Sequence, residues 1–494
     1  MNIKEAKEEI VHTVRAYTAK DDFGNYEIGV THQRPILLIG PPGIGKTAIM
    51  EQVARECGIG LVAYTITHHT RQSAIGLPII EHKDFGGVNY PVTEYTMSEI
   101  IGSVYNQMEQ TGFKEGILFI DEINCVSETL APTMLQFLQG KTFGNHKVPE
   151  GWIIVAAGNP PEYNKSVKEF DIVTLDRVKR IDVTENLAVW KEYAYKEGIH
   201  GSIISYLDIK KENFYTIETT VEGKRFVTAR GWEDLSQMIK VYQKLGIPVT
   251  EGVIRQYLQH PVIAKEFSAY LDLYEKYASD YNVEEILKGS VNPGAAERMA
   301  SAPFDEKLSV IGLLVSRLSD GACDCFEWDS YVERLFGVLK FVKGEPVLIE
   351  GLEAVLENEK AKWAKNQNGK ALDKVDARVS RRMLDTLEEY LKDARGGADF
   401  DVIRDKFNQN VAKRQNLLST WKSGFDNSFH FIEAAFGESQ EMVVFITELN
   451  TSHYALWFIG ENGCDKYYQY NQGLLLGERQ RSIMADIQGI EKEL

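Results

Sequence analysis

The sequence contains few cysteines, no long apolar run and no excess of basic residues. Its five cysteines among 494 residues are few and odd in number, which argues against a disulfide framework and favours a reduced, cytoplasmic protein. Apolar stretches such as Pro35–Ile39 and Trp152–Ala157 are far shorter than the roughly 18 residues that a membrane span needs. The first ten residues, MNIKEAKEEI, include no apolar segment typical of a signal peptide. We therefore expect neither a membrane span nor a secretory leader.

Charge and composition narrow the classes of function further. Lys and Arg number 55 and Asp and Glu number 72, so the formal net charge is −17 and a broad surface for nucleic acid is not expected. Hydrophobic residues make up 44% of the chain and charged residues 26%, which is typical of a folded protein rather than a disordered one. A chain of 494 residues is expected to form about three domains.

The first 183 residues alternate short apolar runs with helical patterns, which is typical of a parallel α/β sheet. The predicted strands are Pro35–Ile39, Leu61–Ile66, Ile117–Asp121 and Trp152–Gly158. Gly76–Glu94 holds prolines and glycines among β-prone residues, so we predict an insertion, in the form of a hairpin, before the next helix. Thr142–Gly151 is a second turn-rich loop directly before the last of these strands.

From Thr184 onwards the pattern becomes helical. The clearest predicted helices are Asn186–Glu197, Ala229–Leu245 and Val253–Tyr281. Residues 291–494 are also predicted to be mostly helical, with two short strands at Met442–Glu448 and Tyr454–Gly460. The predicted fold is therefore an α/β core followed by helical regions.

The strongest motif consists of Gly40, Pro41, Pro42, Gly43, Ile44, Gly45, Lys46 and Thr47. It matches the pattern G-x-x-x-x-G-K-[ST] of the P-loop and lies between a predicted strand and a predicted helix. In such a loop the backbone N–H groups face phosphate oxygens, the lysine contacts the β- and γ-phosphates, and the hydroxyl group of Thr47 binds Mg²⁺. The motif therefore predicts binding of a nucleoside triphosphate together with Mg²⁺.

Polar residues at the ends of two further predicted strands complete a hydrolytic site. Asp121 and Glu122 follow the apolar run that begins at Ile117, about 75 residues after the P-loop. We expect Asp121 to hold Mg²⁺ through its water shell and Glu122 to polarise the attacking water. Asn159, at the end of the next strand, could orient the same water, although Asn159-Pro160-Pro161 is also ordinary turn chemistry.

Two arginines are candidates for contact with phosphate. Arg177 lies in the run Thr174–Arg180, where an arginine could reach the γ-phosphate bound by a neighbouring subunit and stabilise transition-state charge. A solvated basic turn explains the same run equally well. Arg230 opens the predicted helix Ala229–Leu245 and is a second candidate.

These residues, in this order, resemble those of the AAA+ ATPases. Gly40–Thr47 matches the Walker A motif and Ile117–Glu122 matches Walker B. Asn159 is similar in position to sensor 1, Arg177 to the arginine finger and Arg230 to sensor 2.

Within that superfamily the chain is similar to the MoxR branch. Asp121–Asn124 resembles its D-E-I-N motif, Leu175–Arg177 resembles its L-D-R motif, and Gly76–Glu94 falls where that branch carries an insertion in its second helix. Val178 follows L-D-R where the family usually has phenylalanine, so Arg180 is an alternative arginine finger.

The resemblance implies an AAA+ core at residues 1–183, a helical lid at 184–290 and a mostly helical accessory region at 291–494. It implies that ATP and Mg²⁺ are bound and that subunits form a homo-oligomeric ring, often a hexamer. Such proteins act as chaperone-like remodellers of protein clients, in some cases with a von Willebrand A-domain partner. A preference for ATP over GTP also comes from the resemblance, because a P-loop contacts only phosphates.

Two other functions stay open from the residues alone. A ring motor that acts on nucleic acid is disfavoured by the net charge of −17. A nucleotide-gated scaffold with little turnover is disfavoured by the intact Asp121–Glu122 pair. The candidate client contacts in the two insertions are Tyr90, Tyr95, Phe143 and His146, although local packing is the simpler expectation for each.

Overall fold

The computed structural model describes residues 1–68, 72, 74, 76–143, 145–163, 170–220, 223–290, 293–368 and 372–472. These residues form two compact units. The first unit comprises Met1–Val189 and Glu359–Asp373, and the second comprises Trp190–Asn358 and the described residues from Lys374 onwards. In this described part of the chain, no helix is both long and apolar enough to cross a membrane.

The first unit contains the elements that hold the predicted site. In chain order they are α1 (Ile3–Thr18), β1 (Ile36–Ile39), α2 (Lys46–Cys57), β2 (Gly60–Thr65), β3 (Pro78–Phe85), β4 (Val88–Tyr95), α3 (Glu99–Thr111), β5 (Gly116–Asp121), α4 (Ala131–Gly140), β6 (Thr142–Phe143), β7 (His146–Lys147), β8 (Trp152–Gly158), α5 (Ile172–Leu175) and β9 (Lys179–Asp182).

Five of these strands form one parallel sheet in the order β2-β5-β8-β1-β9. Strands β1, β5 and β8 are almost entirely buried, which explains why their sequences read as continuous apolar runs rather than alternating ones. This sheet confirms the predicted parallel α/β core. Because the carboxyl ends of parallel strands meet at one edge, the residues that follow β1, β5 and β8 lie close together.

The edge strand β9 is absent from the four predicted strands. Its sequence, Lys-Arg-Ile-Asp, contains a single apolar residue, Ile181, which is buried. An edge strand pairs on one side only and so tolerates polar side chains, which explains why apolar patterning does not reveal it.

Both predicted insertions contain antiparallel hairpins. In the larger one, β3 and β4 pair from Pro78↔Tyr95 to Phe85↔Val88. Gly86 and Gly87 join them at φ values of 67° and 88°, a left-handed backbone that glycine adopts without strain. The smaller hairpin consists of β6 and β7.

The second unit is mostly helical, as predicted. Its elements are α6 (Leu187–Glu197, which begins in the first unit), α7 (Gly201–Ile209), β10 (Thr216–Thr220), β11 (Gly223–Val227), α8 (Ala229–Leu245), α9 (Glu251–Tyr257), α10 (Pro261–Asp280), α11 (Val283–Leu287), α12 (Pro293–Ser301), α13 (Phe304–Val342), α14 (Leu348–Asn368, whose residues from Glu359 belong to the first unit), α15 (Lys374–Arg395), α16 (Phe400–Phe436), α17 (Gln440–Thr451) and α18 (His453–Asn462).

The predicted helix Val253–Tyr281 is two helices, α9 and α10, divided before Pro261, and two predicted strands in this unit are wrong. Met442–Glu448 and Tyr454–Gly460 are helical and lie within α17 and α18, not in strands. The buried residues of α17 include Met442, Phe445, Ile446 and Leu449. Their spacing of three and four residues is that of one helix face, which a short apolar window cannot distinguish from a strand.

Helix α7 lies very close to α13 inside the second unit. A Cβ atom built on Gly201 would lie 2.6 Å from the Ser316 hydroxyl oxygen. A Cβ atom built on Gly312 would lie 2.7 Å from the Ser205 hydroxyl oxygen. Because neither contact leaves room for a larger residue, the two helices pack through these glycines.

A buried charge cluster joins α6 and α7 to α17. Lys191 Nζ lies 2.5 Å from Asp208 Oδ1 and 2.6 Å from Glu448 Oε1. The Tyr195 hydroxyl group donates to Glu448 Oε2 at 2.8 Å. Residues more than 200 positions apart therefore share one interior in this unit.

Candidate nucleotide-binding site

The loop Gly40–Gly45 connects the buried strand β1 to helix α2. Gly43 and Gly45 have φ values of 74° and 96°, so the loop turns through a left-handed backbone that favours glycine. Gly40 packs against the chain after β9, where an added Cβ atom would lie 2.6 Å from the Val183 carbonyl oxygen. No side chain caps the N-terminus of α2, whose first N–H groups and positive dipole end favour an anion.

Lys46 is buried and links this loop to the end of β8. Its Nζ atom donates to the carbonyl oxygens of Gly40 and Pro41 at 2.8 Å each. It also donates to Asn159 Oδ1 at 2.9 Å. The ammonium group is therefore held between the loop and Asn159, where a bound phosphate could exchange with these neutral acceptors.

Thr47 and Asp121 bring hard oxygen ligands together across the sheet. The Thr47 hydroxyl group donates to Asp121 Oδ2 at 2.9 Å. Asp121 Oδ1 accepts a hydrogen bond from the Glu122 backbone N–H at 2.9 Å. Hydroxyl and carboxylate oxygens are the ligands that Mg²⁺ prefers, so this donor set fits that ion.

Glu122 occupies an unusual backbone position. Its φ and ψ values of 58° and 35° are left-handed, although the residue has a side chain. The chain reverses there and enters the short turn Ile123–Cys125. Such conformations cost about 1–3 kcal/mol and are concentrated at functional sites.

Asn124 is the last residue of the motif Asp121–Asn124, and the sequence analysis assigned it no role. Its side chain donates from Nδ2 to the Asn159 carbonyl oxygen at 2.8 Å and accepts at Oδ1 from the Asn159 N–H at 3.3 Å. Asn124 is among the buried polar residues of the structure. Its signal in the sequence was its place in that motif, which resembles D-E-I-N.

Arg177 and Arg180, the two candidate arginine fingers, have hydrogen bonds to residues outside the P-loop. The Arg177 guanidinium group donates to Gln139 Oε1 at the end of α4. Arg180 lies in β9 and donates from Nε to Asp182 Oδ1 at 2.9 Å. Both are exposed on the first unit. Arg230 is exposed in the first turn of α8, in the second unit.

The aromatic residues of the two hairpins differ in exposure. Tyr90 and Tyr95 are exposed, and the Tyr90 ring contacts Phe85 at the far end of the larger hairpin. Phe143 is buried and stacks on Phe137 with ring centroids 3.9 Å apart, so the prediction that it is an exposed contact is wrong. His146 is half-buried, and its Nε2 atom lies 3.0 Å from the Tyr95 carbonyl oxygen.

Comparison with known proteins agrees with this geometry. The model of the family described as "ATPase family associated with various cellular activities (AAA)" matches residues 36–177. That span begins at β1 and includes the P-loop, Asp121, Glu122 and Asn159.

A curated relative, the ATP-dependent zinc metalloprotease FtsH 1 of Sphaerobacter thermophilus, is 42% identical over 57 residues. The match covers 12% of this chain and about 8% of the length of that relative. Together with the five-stranded sheet, the family match identifies residues 36–177 as an AAA ATPase family domain.

Proposed function

We propose that this protein hydrolyses ATP and acts as a ring-forming, chaperone-like remodeller of protein partners, in the manner of MoxR-like AAA+ proteins. One observation carries the proposal. Two side-chain hydrogen bonds, from Lys46 to Asn159 and from Thr47 to Asp121, join the P-loop to the ends of β8 and β5. A nucleotide-binding loop is thereby connected to the acidic residues that hydrolysis requires.

The proposed roles follow from residue chemistry. Thr47 and Asp121 would hold Mg²⁺, which neutralises charge on the β- and γ-phosphates. Glu122 accepts a proton from water as the water oxygen attacks the γ-phosphorus, and the bond from that phosphorus to the β–γ bridging oxygen breaks to release ADP. Lys46 stabilises the phosphate charge, and Asn159 orients the water.

Arg177 acts, in this proposal, on the nucleotide of a neighbouring subunit. Its side chain is exposed on the first unit, and its described hydrogen bond goes to Gln139, outside the P-loop. An arginine supplied from outside a site stabilises transition-state charge and often raises the rate by about three to five powers of ten. Arg180 is the alternative finger, and Arg230 is proposed as the phosphate contact from the lid.

The larger hairpin is the proposed contact for protein clients. Ile80, Phe85 and Tyr90 are 74%, 59% and 50% exposed on it, an amount of apolar surface that is unusual for a protruding hairpin unless something binds there. A von Willebrand A-domain protein is the partner class that we propose from the resemblance. We further propose a cytoplasmic location, and domains at 1–183, 184–290 and 291–494.

The test is ATP turnover per subunit over a wide range of protein concentrations. We expect specific activity to rise with concentration, because a site completed by a neighbouring subunit forms only in the assembly. Glu122→Gln and Arg177→Ala should each abolish turnover while ATP binding persists, and Lys46→Ala should lose binding.

Arg180→Ala separates the two candidate fingers. If it abolishes turnover and Arg177→Ala does not, Arg180 is the finger. Negligible turnover at every concentration, despite ATP binding, would contradict the ATPase proposal and favour a nucleotide-gated scaffold.

A further inference from the structure

We infer that Asn124 is a positioning residue that sets the backbone of Asn159, and so couples the turn bearing Glu122 to the contact between Asn159 and Lys46. This inference rests on the proposed ATPase function, because it concerns the rate of that reaction. The roles that the sequence motifs imply include none for Asn124.

The reason lies in where the pairing of β5 with β8 stops. The last paired residues are Ile120 and Ala156, whereas β8 continues to Gly158 beside β1. Beyond that point the chain of β5 turns away at Glu122, whose φ is 58°. The Asn124 side chain then forms hydrogen bonds with the backbone of Asn159, at the place where the next pair of residues between β5 and β8 would lie.

A side-chain amide is suited to this role because it carries the same donor and acceptor as a peptide group. A backbone N–H group can only donate and a backbone carbonyl oxygen can only accept, so Asn159 determines which way the Asn124 amide faces. Aspartate at this position would present an oxygen to the Asn159 carbonyl oxygen, and alanine would make neither bond. The geometry therefore requires asparagine for a chemical reason.

Gly158 shows how closely the two groups fit. A Cβ atom added to Gly158 would lie 2.6 Å from Asn124 Oδ1, well inside van der Waals contact. Asn124 is only 6% exposed, so its side chain has little space into which it could move. Glycine at this strand end therefore makes room for the amide pair.

This arrangement should make the rate of ATP hydrolysis depend on Asn124 while the affinity for nucleotide does not. The P-loop binds phosphate through its own backbone and Lys46, whereas Asn124 acts on Asn159 and on the turn that carries Glu122. Loss of the hydrogen bonds between Asn124 and Asn159 should therefore displace Asn159, which orients the water, relative to Glu122, which activates it. Nucleotide affinity should change little.

The experiment measures kcat, the KM for ATP, the Kd for ADP and the Tm of full-length variants. We expect Asn124→Ala and Asn124→Asp to lower kcat by about tenfold to a hundredfold, with the Kd for ADP changed less than about threefold, because small misplacements of reacting groups cost rate. Gly158→Ala should also lower kcat, since its Cβ atom displaces Asn124. The double variant Asn124→Ala/Gly158→Ala should be no slower than Asn124→Ala, because the clash is then relieved.

Val104→Ala is the control for stability. Val104 is fully buried in α3, outside the nucleotide site, so this variant should lower the Tm and leave kcat intact. The inference is overturned if Asn124→Ala keeps kcat within twofold of wild type. It is also overturned if the kcat losses of Asn124→Ala and Gly158→Ala multiply in the double variant. A third contradicting result is a Val104→Ala protein whose Tm equals that of Asn124→Ala and whose kcat falls by as much. If the wild-type protein itself does not hydrolyse ATP, the proposed function fails instead.

Discussion

At the scale of single residues, the nucleotide site contains positions of two kinds. The positions Gly40–Thr47, Asp121 and Glu122 could be predicted because their chemistry depends on residues close together in the chain. The role of Asn124 could not, although the residue lies in the motif Asp121–Asn124, because that role depends on β5 and β8 being neighbours and on where their pairing stops. A local pattern contains no information about that adjacency.

Lys141 is a residue of the same domain whose environment predicts a pH effect. It is buried at the end of α4, and its Nζ atom donates to the Val30 carbonyl oxygen at 3.1 Å. Burial lowers the pKa of Lys141 from 10.5 to about 8. Between these two pKa values the unfolded chain binds a proton that the folded chain does not, so the free energy of unfolding rises with pH in that window.

Lys141→Met should therefore stabilise the protein below pH 8, by about 1–3 kcal/mol after allowing for the lost hydrogen bond, and the gain should vanish above about pH 10.5. The backbone φ of 53° disfavours both residues alike. The measurement is thermal unfolding of the two proteins from pH 7 to pH 11. Lys147→Met, at an exposed position of the smaller hairpin that follows Lys141, is the matched control. A difference between Lys141→Met and wild type that is constant across this range would contradict the prediction.

At the scale of elements, apolar patterning predicted four of the five strands of the sheet, missed the edge strand β9 and assigned two helical segments to strands. The four predicted strands of the sheet are present within a residue or so at each end. The edge strand β9 was missed because its single buried residue produces no pattern. The two segments in α17 and α18 were misassigned because a buried helix face and a buried strand look alike over seven residues.

The stability of the protein should depend strongly on an aromatic ring of the smaller hairpin and only weakly on one of the larger hairpin. Phe143 is buried against Phe137, so Phe143→Ala should cost about 3–5 kcal/mol of stability. Tyr90 is 50% exposed, so Tyr90→Ala should change stability by less than about 1 kcal/mol. Chemical denaturation of both variants measures the difference.

The amount of client protein that each variant captures is the second measurement. In an ATP-trapped Glu122→Gln background, Tyr90→Ala should weaken the capture of clients without loss of ATP binding. Equal stability of the two variants would contradict the proposed division between a structural hairpin and an exposed one.

At the scale of the whole molecule, long-range contacts determine an organisation that local patterns do not reveal. The change of sequence pattern at Thr184 lies three residues before Leu187, where α6 begins. The cluster of Lys191, Asp208 and Glu448 then places residues from both of the predicted helical regions in one interior. Charged residues so far apart in the chain give no local signal of their pairing.

The assembly proposed for this molecule predicts complementation between two inactive variants. Arg177→Ala keeps its own P-loop, and Lys46→Ala keeps its own Arg177. When the two are mixed in equal amounts, about a quarter of the sites would combine an intact P-loop with an arginine from a neighbour, so turnover should reappear.

The matched control is a mixture of Lys46→Ala with Glu122→Gln. The P-loop and Glu122 belong to the same first unit, and Thr47 and Asp121 are hydrogen-bonded there, so no site in this mixture is complete. Turnover in the control mixture, or none in the first mixture, would contradict a site shared between subunits.

The close contact between α7 and α13 has a mechanical consequence. Helix α13 contains 39 residues and is therefore about 58 Å long. Since Gly201 and Gly312 leave no space between the two helices, we expect α7 and the part of α13 that contacts it to move together. Val342, at the far end of α13, lies 30 residues beyond Gly312, or about 45 Å along the helix, so a tilt of about 10° at Gly312 would displace that end by about 8 Å.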